Sequence, residues 1–394
     1  MRLEKLRMEN FRGFAELELD FSKAGNLAVM VGANGAGKSS VLDCLGNFLS
    51  RFSGFVSDPN GPRPWNHMTK KDIRRPAKEA RADVVYRVND PPLSLTDEDN
   101  INVRGLSSLP IELEIQKYAR EHLTRLGTDR TVSAPVLCYY QADRGIGLHT
   151  PAAAIEGSTP EQARAYHLAF VSGGQGPFQL FLKWFRAEED IENQARLRTD
   201  PSYRSKPLEA VRTAIERFMT SLPGAGTIAN LRVEREFIGT DADFDKISYR
   251  VSYLIDKGDS TFDIEQLSAG ERATLLLVAD LTMRLVMANP GLADPLQGSG
   301  IVLIDEIESH LHPAWQRAIL PGLQRTFPGV QFIVSTHSPQ VLGKVARESV
   351  FILDNFKLIE AKPHTYGRDS NALLEDVMGV GEAIATSIRR SVRR

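Results

Sequence analysis

Apolar and polar side chains alternate along residues 2–21. Alternation of this kind is typical of strands that bury one face against a core. A turn-prone stretch at 10–14 interrupts it, so the segment predicts a β-hairpin that bends there. Similar patterning predicts strands at 80–88, 110–116 and 230–256.

Four short runs are almost entirely apolar, at residues 27–31, 136–140, 300–304 and 331–334. Runs of this length bounded by polar residues are typical of parallel strands buried on both faces. Helical spacing follows the first run at 40–49. The succession predicts an α/β fold with a mixed sheet core and an N-terminal antiparallel β part.

A strongly helical stretch separates the second apolar run from the third. Its apolar side chains keep helical spacing at 178–185 and again at 207–219. We therefore expect a helical insertion at 151–225, flanked by core segments at 1–150 and 226–394. The insertion is too short for a long coiled-coil arm, which needs many heptads.

Composition narrows the class of protein. The chain has 394 residues and a formal net charge of −2, which excludes a globally basic nucleic-acid coat but not a local basic patch. Cys44 and Cys138 lie in apolar runs, which favours core positions over a disulfide. No secretory signal and no apolar run of about 18 residues is present, so we expect a cytoplasmic protein without a membrane span.

The segment after the first apolar run fits the phosphate-binding loop pattern GxxxxGK[ST] from Gly32 to Ser39. Its glycines allow a tight turn of backbone N–H groups, and the following helix adds its positive dipole end. In this pattern Lys38 reaches the outer phosphates and the Ser39 hydroxyl holds Mg²⁺. A glycine-rich turn that binds nothing is the alternative, and the register of strand, loop and helix argues against it.

Two carboxylates, Asp305 and Glu306, end the apolar run 300–304. This is the Walker B pattern, in which Asp305 orients Mg²⁺ through water and Glu306 polarises the attacking water. The alternative is a buried strand that simply meets solvent at two acids.

Residues 267–271, Leu-Ser-Ala-Gly-Glu, resemble the signature motif LSxGE of ABC-type ATPases. Alone, such a segment is an ordinary helix N-cap with an acidic first turn. Its position between the phosphate loop and the acidic pair follows the ABC order. The start at 10–14, Asn-Phe-Arg-Gly-Phe, is similar to that of the RecF/SMC/OLD-type branch.

Longer stretches are similar to the PtuA-like ATPases of Septu and retron-associated anti-phage systems. They are WFRAEEDIEN at 184–193, DEIESHLHPAWQ at 305–316, STHSPQV at 335–341 and TYGRDSN at 365–371. The resemblance covers nearly the whole chain and implies an ABC-ATPase head without a long coiled coil. This subgroup is often encoded beside an HNH-type nuclease, so the resemblance also implies a protein partner.

The resemblance implies roles in binding ATP and Mg²⁺ for particular residues. The expected catalytic residues are Glu306, the switch histidine His337 and the Q-loop glutamine Gln141. Nucleotide contacts are expected from Arg12, Asn34, Gly35, Gly37, Lys38, Ser39 and Ser40, and from Ser268 and Gly270 of a second chain. The expected Mg²⁺ ligands are Ser39, Gln141 and Asp305. Two heads then form a homodimer around ATP, and the signature motif has no role within one chain.

Three functions stay open: an ATPase that regulates a nuclease-like effector in defence, a RecF-like repair ATPase that acts on nucleic acid directly, and a scaffold with little turnover. The acidic cluster of a TOPRIM or HNH nuclease is absent, so we expect no intrinsic nuclease. The basic end at 388–394 is either a solvated helix end or a nucleic-acid contact. Trp184, Phe185 and the acidic residues 188–192 are a candidate docking site, with buried aromatics and a solvated acidic face as the simpler interpretation.

Overall fold

A computed structural model of the chain describes residues 1–57, 67–89, 92–105, 114–142, 161–170, 176–240 and 247–359. Its strands are β1 (Arg2–Glu9), β2 (Glu16–Asp20), β3 (Leu27–Val31), β4 (Glu79–Asn89), β5 (Pro92–Asn102), β6 (Val136–Tyr140), β7 (Ile228–Thr240), β8 (Ile247–Lys257), β9 (Ser260–Asp263), β10 (Gly300–Ile304), β11 (Val330–Thr336), β12 (Val350–Asp354) and β13 (Lys357–Ile359). Its helices are α1 (Lys38–Ser57), α2 (Glu114–Thr128), α3 (Gly176–Arg198), α4 (Lys206–Thr220), α5 (Ala269–Ala288), α6 (Pro313–Gln316), α7 (Ile319–Thr326) and α8 (Pro339–Leu342).

A six-stranded sheet in the order β13-β12-β3-β11-β10-β6 forms the centre of the fold. Its strands run parallel except for β13, which is antiparallel to β12. Every residue of β3, β6, β10 and β11 is buried, as their apolar runs predict. Helix α1 packs against this sheet. The predicted α/β class with a mixed sheet is therefore confirmed.

The N-terminal part is a four-stranded antiparallel sheet in the order β2-β1-β4-β5. Strands β1 and β2 form the predicted hairpin, in which Glu9 pairs with Glu16. Gln331 of β11 joins this sheet to the central one. Its side chain accepts the Leu3 N–H at 2.8 Å and donates to the Leu3 carbonyl at 2.9 Å, which explains an amide inside a buried strand.

Strand β5 is absent from the sequence predictions because its residues are mostly polar and acidic. Asp97 and Asp99 are nevertheless buried there, where they pair with the buried Arg51 of α1 at 2.6 and 3.1 Å. Burial raises the pKa of Asp97 to about 7. Because the compensating charge comes from a distant segment, the local pattern does not reveal that these acids are buried.

Helices α3 and α4, which lie in the predicted insertion, pack directly onto α5 of the core. Arg284 of α5 also binds the segment 161–170. Its guanidinium donates to the carbonyl oxygens of Ala165 and His167 at 2.6 and 3.1 Å. Asp280 accepts from the same guanidinium at 2.8 Å. Helix α3 has 23 residues, and no long coiled coil occurs in the described ranges.

Only part of the acidic stretch of α3 is the solvated face that the sequence predicted, since Asp190 is exposed and Glu188 is half-buried. Glu189 and Glu192 are buried and pair with Arg212 of α4 at 3.3 and 3.2 Å. Phe185 is completely buried, and the Arg212 guanidinium lies 5.8 Å from its ring centre. Phe185, Glu189 and Glu192 therefore join α3 to α4 and have little surface to offer, whereas Trp184 is half-buried. Docking of a partner at this segment stays a prediction.

The third sheet, β7-β8-β9, is antiparallel and confirms the strands predicted at 230–256. Both cysteines are buried and free, as expected. The predictions for 365–371 and 388–394 lie outside the described residues, as does the start of the strand predicted at 110–116. The rest of that strand is wrong, because α2 begins at Glu114. Among the helices in the described part, none has the length and apolar character needed to cross a membrane.

Phe185→Ala is expected to lower the free energy of unfolding by about 3–5 kcal/mol, because it empties a closed core position. Leu197 lies on the same helix with 88% of its surface exposed, so Leu197→Ala serves as the control and should change stability by about 0.5 kcal/mol or less. Urea titration followed by circular dichroism measures both. Equal small losses in the two variants would contradict the core position of Phe185.

Candidate active site

The predicted chemical motifs meet at one edge of the central sheet. In the parallel register, Thr336 of β11 lies beside Val31 of β3, and Ile304 of β10 lies beside both Val334 and Tyr140. The residues that follow these strands therefore emerge side by side. Polar side chains at the carboxyl ends of adjacent parallel strands are the usual composition of a ligand site in this class of sheet.

The phosphate-binding loop connects β3 to α1, which begins at Lys38. Asn34, Gly35 and Ser39 are exposed, and Ser40 is half-buried. Exposed loop atoms at a helix start are available to an anion.

Gly37 has φ +104°, a backbone conformation that L side chains rarely adopt. A Cβ there would lie 2.5 Å from the Phe14 ring and 2.9 Å from the Phe356 ring. The two rings contact each other edge to face, with centres 5.4 Å apart. The loop thus requires glycine at this position both for its turn and for its packing.

The Lys38 side chain is buried and donates to the loop's own carbonyl oxygens, Gly32 at 2.8 Å and Ala33 at 3.0 Å. Burial lowers the pKa of its ammonium, and the carboxylates Glu308, Asp305 and Glu306 act in the opposite direction. An ammonium held by the loop and facing three carboxylates is suited to a polyanion that arrives with a divalent cation.

Ser335 holds the acidic pair in place. Its hydroxyl donates to the Asp305 carboxylate and accepts the Glu306 backbone N–H at 2.8 Å. Glu306 has φ +47°, which is unusual for a residue with a side chain and marks a local strain. Asp305 is buried, and its N–H donates to the Tyr140 carbonyl at 2.8 Å. The two predicted acids are therefore fixed at the end of β10.

Glu308 is a buried carboxylate in the turn after β10, and the sequence motifs did not single it out. Its Oε1 accepts the His337 backbone N–H at 2.7 Å and lies 2.8 Å from Nδ1 of the same residue. The predicted switch histidine is thus tied to the acidic turn. The only sequence signal for it is a further carboxylate two residues after the Walker B pair.

Gln141 directly follows β6, and the pairing of Tyr140 with Ile304 sets it beside the Asp305 end of β10. Its contact with Mg²⁺ stays a prediction. Asp43 of α1 accepts a hydrogen bond from the Tyr139 hydroxyl at 2.9 Å, so β6 is also linked to the helix of the phosphate loop.

Arg12 is engaged within the chain. Its guanidinium donates to Asp43 at 2.6 Å and to Asp72 at 2.9 Å, and these carboxylates raise its pKa against the opposing effect of burial. Asp43 lies one turn beyond the start of α1, so Arg12 is held beside the phosphate-loop helix. Its contact with a nucleotide stays a prediction.

The signature residues have a clear role within one chain, contrary to expectation. The Ser268 side chain caps α5 by accepting the Glu271 N–H at 3.3 Å, and Glu271 accepts from the Ser268 N–H at 3.0 Å. A Cβ on Gly270 would lie 2.5 Å from the His310 carbonyl oxygen, so α5 begins directly against the turn after β10. Ser268 is nevertheless exposed, so it remains accessible to a second chain.

Comparisons with known proteins place the chain among ATPases. A family model described as "AAA domain" matches residues 5–209, and one described as "AAA domain, putative AbiEii toxin, Type IV TA system" matches 155–343. The chain is 29% identical to the Retron Ec83 probable ATPase of Escherichia coli, over 97% of this chain and 77% of that protein. It is also 29% identical to the Retron Vc95 probable ATPase of Vibrio cholerae, over 95% of this chain and 78% of that protein.

A relative that matches only part of the chain and a solved structure are also similar to this protein. The Septu protein PtuA of Bacillus mycoides is 41% identical over 23% of this chain and 13% of its own length. The solved SmcHead bound to the C-winged helix domain of ScpA superposes with a TM-score of 0.52 at 17% identity, over 91% of this chain and 98% of that one. That likeness concerns the fold alone and confirms the predicted head architecture. The chain belongs to the AAA-domain family and is a RecF/SMC-type ATPase.

Proposed function

We propose that this chain binds ATP with Mg²⁺ and hydrolyses it between two paired heads, and that ATP-dependent pairing controls a partner effector. The observation that carries the proposal is the convergence of the phosphate loop, the pair Asp305 and Glu306, and His337 at one sheet edge. The strained backbone of Glu306 and the burial of Lys38 support this proposal, because such features are concentrated at functional sites.

The donor set fits a hard divalent cation. The Ser39 hydroxyl is exposed at the start of α1, and Asp305 presents a carboxylate at the end of β10, next to Gln141. Hydroxyl, amide and carboxylate oxygens are the ligands that Mg²⁺ prefers, usually together with water and substrate phosphates. When bound, Mg²⁺ neutralises charge on the phosphates. We assign Ser39, Asp305 and Gln141 to hold it.

In the proposed reaction a water oxygen bonds to the γ-phosphorus as the bond to the bridging oxygen of ADP breaks. We assign Glu306 to accept the proton of that water, and His337 to contact the γ-phosphate. Lys38 would leave its loop carbonyls for the phosphate oxygens, which offer a stronger, charge-assisted hydrogen bond. The start of α1 contributes its backbone N–H groups to the same oxygens.

Pairing of two heads is supported by the exposure of Ser268. Ser268 caps the start of α5, and the N–H groups of a helix start are favourable partners for phosphate. In this arrangement ATP lies between the phosphate loop of one chain and the signature of the other. An isologous two-fold pair would contain two such sites.

Control of an effector in anti-phage defence is supported by the names of the relatives, two of them retron probable ATPases and one a Septu protein. An HNH-type nuclease is the effector that we propose. RecF-like action on DNA is the second candidate, since a DNA replication and repair protein RecF from Lacticaseibacillus paracasei is 24% identical over 92% of this chain. Co-purification of a neighbouring gene product would favour the first function over the second.

Lys38→Ala should abolish ATP binding, because the loop loses its buried cation. Glu306→Gln should bind ATP but hydrolyse it on the order of a hundredfold more slowly, the usual loss when a positioned base is removed. Calorimetry with ATP and a phosphate-release assay measure the two steps. Turnover in Glu306→Gln equal to that of the unaltered chain would show that Glu306 does not activate the water.

Ser268→Arg should prevent ATP-dependent dimers, since the added side chain is too bulky for the closed interface. Native mass spectrometry in the Glu306→Gln background, with and without ATP, measures the assembly state. The matched control is Ser268→Ala, which loses the cap at a cost of about 1 kcal/mol but adds no bulk. If Ser268→Arg still dimerises when ATP is added, the signature motif does not form the interface.

The purified chain should not cut nucleic acid, because the carboxylates that we assign to chemistry all belong to the ATP site. The test incubates it with plasmid, single-stranded DNA and tRNA, with ATP and either Mg²⁺ or Mn²⁺. Lys38→Ala is the control for ATP-dependent effects. Cleavage that a point mutation outside the ATP site abolishes would reveal an intrinsic nuclease and contradict this expectation.

A further inference from the structure

Glu308 and His337 differ sharply in exposure. The Glu308 side chain is 5% exposed, whereas that of His337 is 45% exposed. An exposed histidine at a strand end normally samples several rotamers, at a cost when one of them must be selected. A buried carboxylate is also costly unless it is hydrogen-bonded. Their contact reduces both costs, because Oε1 of the carboxylate receives donors and the imidazole receives a fixed anchor.

The geometry of the contact is specific. Oε1 of Glu308 receives two donors from one residue, the His337 backbone N–H at 2.7 Å and the ring Nδ1 at 2.8 Å. Two contacts on a single oxygen fix the orientation of the ring relative to its own backbone. They also require a proton on Nδ1, since a carboxylate only accepts. Nε2, on the opposite side of the ring, is then the nitrogen left for other chemistry.

Neighbouring residues hold the contact from both sides. The His337 loop is fixed by the Ser338 hydroxyl, which donates to the Gln316 side chain at 2.6 Å. The Glu308 turn is fixed by the Glu306 carbonyl, which accepts the Ser309 N–H at 2.9 Å. The carboxylate and the imidazole are therefore presented to each other by two separately anchored segments.

We propose that Glu308 is the positioning residue for His337, fixing its ring orientation and keeping the Nδ1 proton so that Nε2 faces the reacting phosphate. The proposal rests on the proposed ATPase function. The segment after β10 then has two functions, because it contains the acids Asp305 and Glu306 and also orients His337. Glu308 itself does not touch the substrate in this account, and its effect passes through the imidazole.

One competing explanation is that Glu308 acts through Lys38, whose pKa it helps to keep from falling further. The two explanations differ in the kinetic constant that they affect. A weaker Lys38 contact would lower ATP affinity and raise KM. A misdirected His337 would lower kcat with KM nearly unchanged, because the histidine is proposed to act mainly on the γ-phosphate during the reaction.

The first test is a double-mutant cycle on ATP turnover. Glu308→Ala should lower kcat on the order of ten- to a hundredfold, the typical loss for a group that orients a histidine. Glu308→Gln, which keeps an acceptor oxygen, should recover part of that loss. In a His337→Ala background, Glu308→Ala should cause little further change. The control is Glu348→Gln, an exposed carboxylate in a short turn, which should leave kcat and KM unaltered.

Additive losses in the cycle, or a rise in KM with kcat preserved, would overturn the proposal. The second test needs neither turnover nor a Glu308 variant. Long-range ¹H–¹⁵N spectra of the unaltered chain, with the His337 signals assigned by their loss in His337→Ala, should show a protonated Nδ1. A ring protonated on Nε2 alone would overturn the proposal. If the unaltered chain has no ATPase activity, the proposed function fails, and the nitrogen spectra still decide the role of Glu308.

Discussion

Parallel pairing of β3, β11, β10 and β6 is the constraint on which the rest of the structure depends. The strands are buried throughout and end in register, so the polar residues that follow them emerge at one edge. Segments hundreds of positions apart in sequence, such as the loop at Lys38 and the histidine at 337, become neighbours in this way. None of these residues forms a site alone. The site arises because the parallel register brings them to one edge of the sheet.

A buried network extends this constraint to the signature helix. Tyr140, the last residue of β6, donates to Asp280 of α5 at 2.6 Å, and Asp280 also binds Arg284. The N-terminal end of α5 packs against the backbone of His310, in the turn after the Walker B acids. Helix α5 therefore contacts both the strand that precedes Gln141 and the Walker B turn. A shift at either place has a packed route to the exposed Ser268.

The sequence predicts most of the fold and the motif residues, because periodicity reports burial and the phosphate loop requires particular residue types. Strand β3 and the hairpin β1–β2 agree closely with expectation for this reason. The misjudged acids share one cause. The acids of β5 and α3 are buried by arginines from distant segments, and Glu308 acquires its partner from another strand. A local pattern cannot show a charge partner that only the fold brings near.

The central claim is that these strand ends form one ATP site that a second chain completes. A crystal structure of the Glu306→Gln variant with ATP and Mg²⁺ tests it most directly. The account predicts ATP with its phosphates at the start of α1, beside Asp305, and the Ser268 of a second chain closing over the γ-phosphate. Nucleotide bound elsewhere on the chain, or bound at this edge with Ser268 of every chain facing solvent, would contradict it.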